Sequence, residues 1–212
     1  MWGIHNLPLF LLTAITLTMI PGPSTMYILG RSVSQGRKAG VLSVLGIGTG
    51  SLCHTFAVAF GLSALLAASQ IAFSVIKYAG AAYLVYLGIQ TLRAKPSANT
   101  QDIPAAVSNK RIYGQGVLTQ LLNPKVSLFF IALLPQFVSP AVTRSPLPFL
   151  LLGALFVTMD TLWFLLVASA SGQFTGWLRR NARWQGVMKW ATGVLYIGLG
   201  LNLLRARARV AS

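Results

Sequence analysis

Very few residues inside the long apolar stretches of this chain can do chemistry. Asp160 is the only acidic residue within any of them, and His54 lies in the middle of an earlier one. An aspartate at the bilayer centre costs roughly 2.5–3.5 kcal/mol on insertion scales, and such residues usually face the bundle interior. A histidine exchanges a proton near neutral pH. Asp160 is therefore a candidate for substrate binding and proton coupling, and His54 for proton coupling. The alternatives are a structural ion pair for Asp160 and a hydrogen-bonded core histidine.

Two lysines lie close to these apolar stretches. Lys77 begins one of them near a predicted membrane surface, where a long side chain can extend to the lipid headgroups. Lys125 follows a proline nearer the membrane interior, so it is the better candidate for contacting an anionic group. Either lysine is also a candidate ion-pair partner of Asp160.

The first apolar segment is interrupted by a proline-rich break. Leu17–Gly30 reads LTMIPGPSTMYILG, and proline removes a backbone donor and clashes with the preceding turn, so a continuous helix is not expected. In hydrocarbon the freed carbonyls need partners, so such a break is tolerated only within protein or beside a wet cavity. Discontinuous helices often form transporter sites, although a kink that only shapes packing is the alternative. The candidate substrate-binding residues here are Pro21, Gly22, Pro23, Ser24 and Thr25.

A matching break lies in the second half of the chain. Leu118–Lys125 reads LTQLLNPK, and an offset of 101 residues aligns it with LTMIPGPS at Leu17–Ser24. Paired breaks in the two halves of a chain are the best sequence indication of a transporter site. The candidate substrate-binding residues in this second break are Asn123, Pro124 and Lys125.

Composition places the chain among membrane proteins. Hydrophobic residues make up 55% of it and charged residues 9%, and the mean hydropathy is +0.68. The formal net charge of +15 would suit nucleic-acid binding if the basic residues shared one soluble face. They lie mostly between apolar runs, as in membrane proteins whose loops contact anionic lipid, so a lipid bilayer and not a nucleic acid is the expected partner.

Apolar runs of about 20 residues predict six transmembrane helices in one domain over residues 1–212. Val75–Ala94 resembles Val187–Ala206 at an offset of 112, and a repeat of three spans must run inverted in its second copy. The predicted fold is an all-α membrane protein of two inverted three-helix repeats, with helices one and four broken. The predicted spans are about 5–30, 40–67, 71–92, 114–138, 147–171 and 187–204. Repeat one covers about 5–94, a cytoplasmic linker about 95–113, and repeat two about 114–206.

The basic residues between the spans indicate the orientation. Those after spans one, three and five, beginning with Arg31, Arg37 and Lys38, outnumber those on the other side eleven to four. The positive-inside rule then places both termini outside the cytoplasm. The basic tail RARAR at 205–209 fits an outside end poorly, so a five-span alternative, in which the last segment does not cross, stays open.

Several motifs together resemble the LysE/RhtB family of bacterial amino-acid exporters. They are the PGPS break, the KYAGAAYLVYLG run at 77–88, the NPK break and the PQF at Pro135–Phe137. The resemblance runs from about Leu7 to Arg205. It implies a multi-pass protein of the bacterial inner membrane that exports small L-amino acids such as threonine, homoserine, lysine or leucine. It also implies that the proton motive force drives export, and it leaves the particular amino acid open.

Other classes of function fit the sequence less well. With two acids, two histidines and one cysteine, the chain has almost no material for a nucleophile–base set or a metal cluster. Neither an enzyme nor a bound metal nor a cofactor is expected. An exporter of another small solute or cation stays open, as does a non-transporting membrane scaffold or sensor. A chain of this size is also compatible with a homodimer.

Overall fold

The computed structural model describes the chain in four continuous stretches and at separate helical positions near the C-terminus. Every regular element in these stretches is helical, apart from one isolated bridge between Ile4 and Val138. The predicted all-α class is therefore confirmed for this part of the chain. The described residues are 3–62, 70–93, 106–142, 145–170 and scattered helical positions within 186–201.

The first two helices are separated where the proline pattern predicts a break. Helix α1 spans Leu7–Met19, and α2 spans Pro23–Phe56 before a π-helical turn over Ala57–Leu62. Within α2, Gly36 has φ 80° and ψ −179°, a backbone conformation that glycine adopts without a steric penalty. The predicted first and second spans are thus joined at a single residue and not by a loop.

Arg31, predicted to follow the first span as a loop residue, is instead buried within α2. Its guanidinium donates hydrogen bonds to Gln35 Oε1 at 3.1 Å and to Gln115 Oε1 at 2.9 Å. It also lies over the ring of Tyr27, 5.8 Å from the centroid. These partners offset the cost of burying the charge, because a planar guanidinium can donate to several acceptors at once. Positive charge alone did not reveal this burial.

The second half of the chain repeats the broken arrangement. Helix α3 spans Gln70–Arg93, and α4 spans Asn109–Leu121. Helix α5 spans Pro124–Leu128 and continues through a π-helical and a 3₁₀ turn to Phe137. The segments before and after Asn123 meet at 47°, which confirms the predicted break at Asn123–Pro124. Helix α6 spans Leu147–Ser169 and covers most of the predicted fifth span.

The described helices account for part of the predicted membrane topology. By length and composition, Pro23–Gly61 and Leu147–Ser169 are each able to cross a membrane. The bent pair from Asn109 to Phe137 is apolar enough for a third, as one broken span or as a re-entrant loop, whereas α1 is apolar but shorter. Much of the predicted sixth span and most of the linker, including Asp102, lie outside the described residues. The six-span arrangement therefore stays a prediction.

Glycines bring α2 into close contact with its neighbours. A Cβ atom added at Gly46 would collide with the Tyr113 carbonyl of α4, and Gly153 of α6 packs equally closely on Thr55 of α2. In lipid, helices associate through close packing and hydrogen bonds and not through hydrophobic exclusion, so small residues favour their contact. Helix α2 is therefore the element that fixes the positions of α4 and α6.

Helix α3 packs through small residues against helical positions near the C-terminus. Gly88 lies against the Gly193 carbonyl, and Gly200 lies against the Ala81 carbonyl. The repeat offset of 112 converts Gly88 into Gly200 and Ala81 into Gly193, so the two contacts are equivalent under the repeat. Residue 81 pairs with residue 200 and residue 88 with residue 193, so the two segments run antiparallel.

Phenylalanine rings fill the core between α1, α6 and the segment that follows the second break. Phe129 stacks on Phe156 with 4.5 Å between ring centroids, and Phe10 meets Phe137 edge-on at 5.3 Å. Such pairs contribute about 0.5–1.5 kcal/mol each beyond the burial of their area. The rings give the polar breaks a close-packed apolar base.

Candidate functional site

Lys125 repairs the backbone at the first break. Its ammonium donates hydrogen bonds to the carbonyl of Leu17 at 3.0 Å and to that of Ile20 at 2.9 Å. In a continuous helix the Leu17 carbonyl would accept from residue 21, but Pro21 has no N–H to donate. The lysine side chain is 6% exposed, so these are bonds within the protein interior. A charged side chain from the second break thus satisfies carbonyls that the first break leaves open.

Asn123 organises the second break and contacts the first. Its Oδ1 accepts from the backbone N–H of Lys125 at 3.1 Å, which caps the short helix α5. Its Nδ2 donates to Ser24 Oγ at 2.9 Å. Because one amide group serves both breaks, the two breaks are held face to face.

The contacts between the two breaks are nearly symmetric under the sequence offset of 101 residues. The offset of 101 converts Gly22 into Asn123 and Ser24 into Lys125. Asn123 is bonded to Ser24, and the equivalent pair is also close, since a Cβ added at Gly22 would lie 3.4 Å from Lys125 Nζ. The sequence repeat is therefore matched by a repeat of contacts in space.

A chain of buried polar side chains continues from the breaks into α2. Ser24 Oγ donates to Gln120 Oε1 at 2.5 Å, and Gln120 Nε2 donates to Ser51 Oγ at 2.6 Å. The Gln120 side chain is completely buried, and its backbone carbonyl lies 3.2 Å from His54 Nε2. Buried polar groups cost free energy when they lack partners, so a fully bonded chain of this kind fixes its members in place.

Asp160 approaches the same region from the middle of α6. It is 4% exposed, and the charged group that acts on it is Lys125. No salt bridge within 4 Å joins the two residues. The hydroxyl of Thr18 lies beside the Asp160 carboxylate, yet it completes no hydrogen bond of normal geometry with any described group. The acid and the base therefore share one buried region without neutralising each other directly.

These side chains line a narrow crevice beside the breaks. No part of the crevice is wide enough to hold a water molecule. The polar walls are Thr18, Ser24, Gln120, Asn123, Lys125 and Asp160, and the apolar walls are Leu17, Val126, Phe156 and Phe164. A ligand of more than one or two atoms enters only if the surrounding helices separate.

Four of the predicted site residues come together in this crevice: Ser24, Asn123, Lys125 and Asp160. The other predicted residues of the breaks shape the backbone around it. Gly22 packs against Lys125, and its N–H lies 3.4 Å from Thr25 Oγ1. The remaining three are the prolines Pro21, Pro23 and Pro124, which end or begin the helices.

The other two predicted residues do not line the crevice. His54 reaches it only through the carbonyl of Gln120, and its ring stacks on Phe130 with 5.7 Å between centroids. Lys77 belongs to α3, and its side chain lies outside the described residues. The proton-coupling role of His54 and the role of Lys77 stay predictions.

Sequence reasoning missed three residues of the site. Gln120 was the clearest omission, because an amide in the apolar run LTQLLNPK needs buried partners. Thr18 and its repeat equivalent Thr119 were aligned by the offset, but a threonine in a membrane helix is often bonded only to its own backbone. Ser51 carries no signal of its own in the sequence.

Comparison with known proteins identifies relatives along nearly the whole chain. The family model described as "LysE type translocator" matches residues 15–207. An uncharacterized membrane protein of Vibrio cholerae is 34% identical over 206 residues, covering 97% of this chain and 99% of the relative. The membrane protein YrhP of Bacillus subtilis, also uncharacterized, is 32% identical over 208 residues, or 94% of this chain and 98% of the relative.

Relatives from Salmonella have a name that states an activity. The homoserine/homoserine lactone efflux protein of Salmonella typhimurium is 31% identical over 198 residues, covering 93% of this chain and 95% of the relative. No solved structure matches the chain. The family match and the shared lengths agree with the two breaks and the apolar helices. The chain therefore belongs to the LysE type translocator family of membrane transporters.

Proposed function

We propose that this protein is a secondary-active exporter of small L-amino acids, driven by the proton motive force across the bacterial inner membrane. The observation that carries the proposal is the buried crevice in which Lys125 and Asp160 lie between two facing helix breaks. Charged residues are costly inside a membrane and usually mark a transport pathway. Membership of a translocator family and the efflux name of the Salmonella relative support export as the direction.

The crevice suits the two charged groups of an amino acid. The carboxylate would lie at the start of α2, where free N–H groups and the helix dipole favour an anion, with Lys125 supplying a formal positive charge. The ammonium would lie against Asp160 and the unbonded hydroxyl of Thr18. Gly22 has no side chain to keep a ligand away from the backbone of the first break.

The name of the Salmonella relative indicates which charged group of the substrate, the carboxylate or the ammonium, is more important for recognition. Homoserine has a free carboxylate, whereas its lactone has lost that group by forming a ring and keeps the amine. A protein that moves both must recognise the ammonium in each. This favours the Asp160 side of the crevice as the essential recognition element in the present chain.

The closed crevice favours transport by alternating access. The crevice of the described conformation has no room for water, so passage of a substrate would require the surrounding helices to move. In transporters with inverted repeats, one repeat rocks against the other around a central site. The exchanged contacts between the breaks and the antiparallel pair Gly88–Gly193 and Gly200–Ala81 support two inverted three-helix repeats with six spans.

Proton coupling would use the same acid. Protonation of Asp160 would remove the partner of the substrate ammonium, so proton entry from outside would favour substrate release there. His54 would be a second proton carrier, and the short distance of 3.2 Å between its Nε2 and the Gln120 carbonyl supports a role beside the crevice.

Purified protein in liposomes provides the test. Vesicles are loaded with labelled homoserine, threonine, leucine or lysine, and matched vesicles are loaded with labelled acetate or choline. Faster loss of amino acids from protein-containing vesicles than from empty ones is the expected result. The proposal would be contradicted if every amino acid left protein-containing and empty vesicles at the same rate. It would also be contradicted if the protein accelerated only the loss of acetate or choline.

A further inference from the structure

We propose that the ammonium of Lys125 is a tethered cation held at the carbonyls of Leu17 and Ile20, and that the Thr18 hydroxyl and the Asp160 carboxylate, which line the same crevice, would complete an oxygen-lined site for a free cation. If the lysine were removed, this site would accept a small cation such as Na⁺ or methylammonium. The inference deepens the proposed function, and it rests on that function only for the role of the crevice in transport.

The position of the site follows from the broken backbone. The C-terminal end of a helix carries a partial negative charge, and the carbonyls at helix breaks coordinate Na⁺ in many transporters. Here the Leu17 and Ile20 carbonyls end α1, and both accept hydrogen bonds from Lys125 Nζ, at 3.0 and 2.9 Å. The lysine charge therefore lies where a transporter of this design would otherwise hold an inorganic ion.

The nearby side chains complete a donor set for a hard cation. Carbonyl, hydroxyl and carboxylate oxygens are the ligands that such ions prefer. Thr18 is 4% exposed, and its hydroxyl lies beside the Asp160 carboxylate without a hydrogen bond of normal geometry to any described group. A buried hydroxyl bonded this poorly is unusual, because buried polar groups are normally satisfied. A site with more oxygen atoms than its present occupant uses accounts for it.

Lys125 fills this site incompletely, and so it can leave. An ammonium has three N–H donors, and two of them are used by the carbonyls. The third donor is not taken up by Asp160, because no salt bridge within 4 Å joins Lys125 Nζ to the carboxylate oxygens. A substrate carboxylate at the start of α2 would attract Lys125 away from the carbonyls, and the substrate ammonium would take its place beside Asp160. One cation replaces another, so the wild-type protein needs no Na⁺ for this step.

The experiment measures cation binding by thermal unfolding of the purified protein, without transport. Wild type, Lys125→Ala and Lys110→Ala are compared in choline chloride, sodium chloride and methylammonium chloride at constant ionic strength. Lys110 is an exposed lysine at the start of α4, so its removal controls for the lost charge. A cation at about 100 times its Kd should raise the Tm of Lys125→Ala by roughly 5–10 °C relative to choline.

The expected result is a saturable rise in Tm with Na⁺ or methylammonium for Lys125→Ala, and none for wild type or Lys110→Ala. The double variant Lys125→Ala with Asp160→Asn should lose most of the rise. A saturable Na⁺ effect in wild type would show that the lysine does not occupy the site. Equal cation responses in Lys125→Ala and Lys110→Ala would show that no such site exists.

Misfolding of the variant is also informative. If Lys125→Ala cannot be purified in choline, then extraction in methylammonium should restore monodisperse protein, and failure to restore it overturns the inference. Because the readout is unfolding, the tethered cation can be refuted while amino-acid efflux persists. Conversely, absence of efflux would leave the cation response intact and count only against the proposed function.

Discussion

Substitution of Asp160 by asparagine removes one charge from the crevice while keeping nearly the same volume. The change suits a site without room for water, since the Phe156 and Phe164 walls need not move. Lys125 keeps its bonds to the Leu17 and Ile20 carbonyls, so the two breaks stay connected. We therefore expect Asp160→Asn to insert into the membrane and fold.

The expected loss of transport follows from the interaction that the substrate would lose. A hydrogen bond to a charged group is worth about 1.5–3 kcal/mol. At about 1.4 kcal/mol per factor of ten, its loss weakens binding by roughly 10- to 150-fold. The charge of Lys125, no longer offset by that of Asp160, would further repel the substrate ammonium. Efflux at low substrate concentration should therefore fall at least about tenfold.

The assay is efflux of labelled amino acid from loaded proteoliposomes, measured at several pH values and normalised to the amount of inserted protein. Asp102→Asn is the matched control, because it removes the other acid of the chain from the polar linker. That variant should transport almost like wild type. Asp160→Asn with the wild-type rate and an unchanged pH dependence would show that the acid is structural, and the two-pole site would be wrong.

Three further predictions concern the breaks, the polar chain and the topology. Gly22→Leu should abolish efflux without preventing insertion, because a Cβ there would already contact Lys125 Nζ at 3.4 Å and leucine adds three further carbons; efflux near the wild-type rate would contradict this. Gln120→Leu removes the hydrogen bonds of Gln120 to the Ser24 and Ser51 hydroxyls, although Ser24 keeps its bond from Asn123, so it should lower stability by about 1–3 kcal/mol, visible as reduced Tm. As a control, Gln90→Leu changes an exposed glutamine and should alter stability by no more than about 0.5 kcal/mol. Equal Tm values for the Gln120 and Gln90 variants would argue against a stabilising row of buried polar side chains. Accessibility tags at residues 103 and 181 should report the cytoplasm, and a tag at residue 143 should report the periplasm. A cytoplasmic signal at residue 143 would overturn the orientation.

Much of the site could be predicted from the sequence because proline and charge have few uses inside a membrane. The breaks at Pro21–Pro23 and Asn123–Pro124 lie where the motifs indicated, and Ser24, Lys125 and Asp160 meet between them. The structure also brings the two motifs face to face, with Asn123 bonded to Ser24. These features depend on local chemistry, which a single sequence records.

The remaining features depend on contacts between distant segments. Nothing in the motif NPK indicates that Lys125 bonds the carbonyls of the opposite break, because that geometry exists only after the helices pack. The same holds for Gln120, which joins residues 96 and 69 positions away. Arg31 was assigned to a loop by its charge, whereas Gln35 and Gln115 allow it to be buried.

Outward movement of amino acids at the expense of a proton gradient is the claim on which the proposed function depends. Proteoliposomes with a defined protein orientation and an imposed pH gradient test it most directly, with homoserine or threonine at equal concentrations on both sides. A proton-coupled exporter predicts net amino-acid movement only while the gradient lasts, and none after an uncoupler is added. Movement that is the same with and without the gradient, or no movement of any amino acid, would contradict the claim.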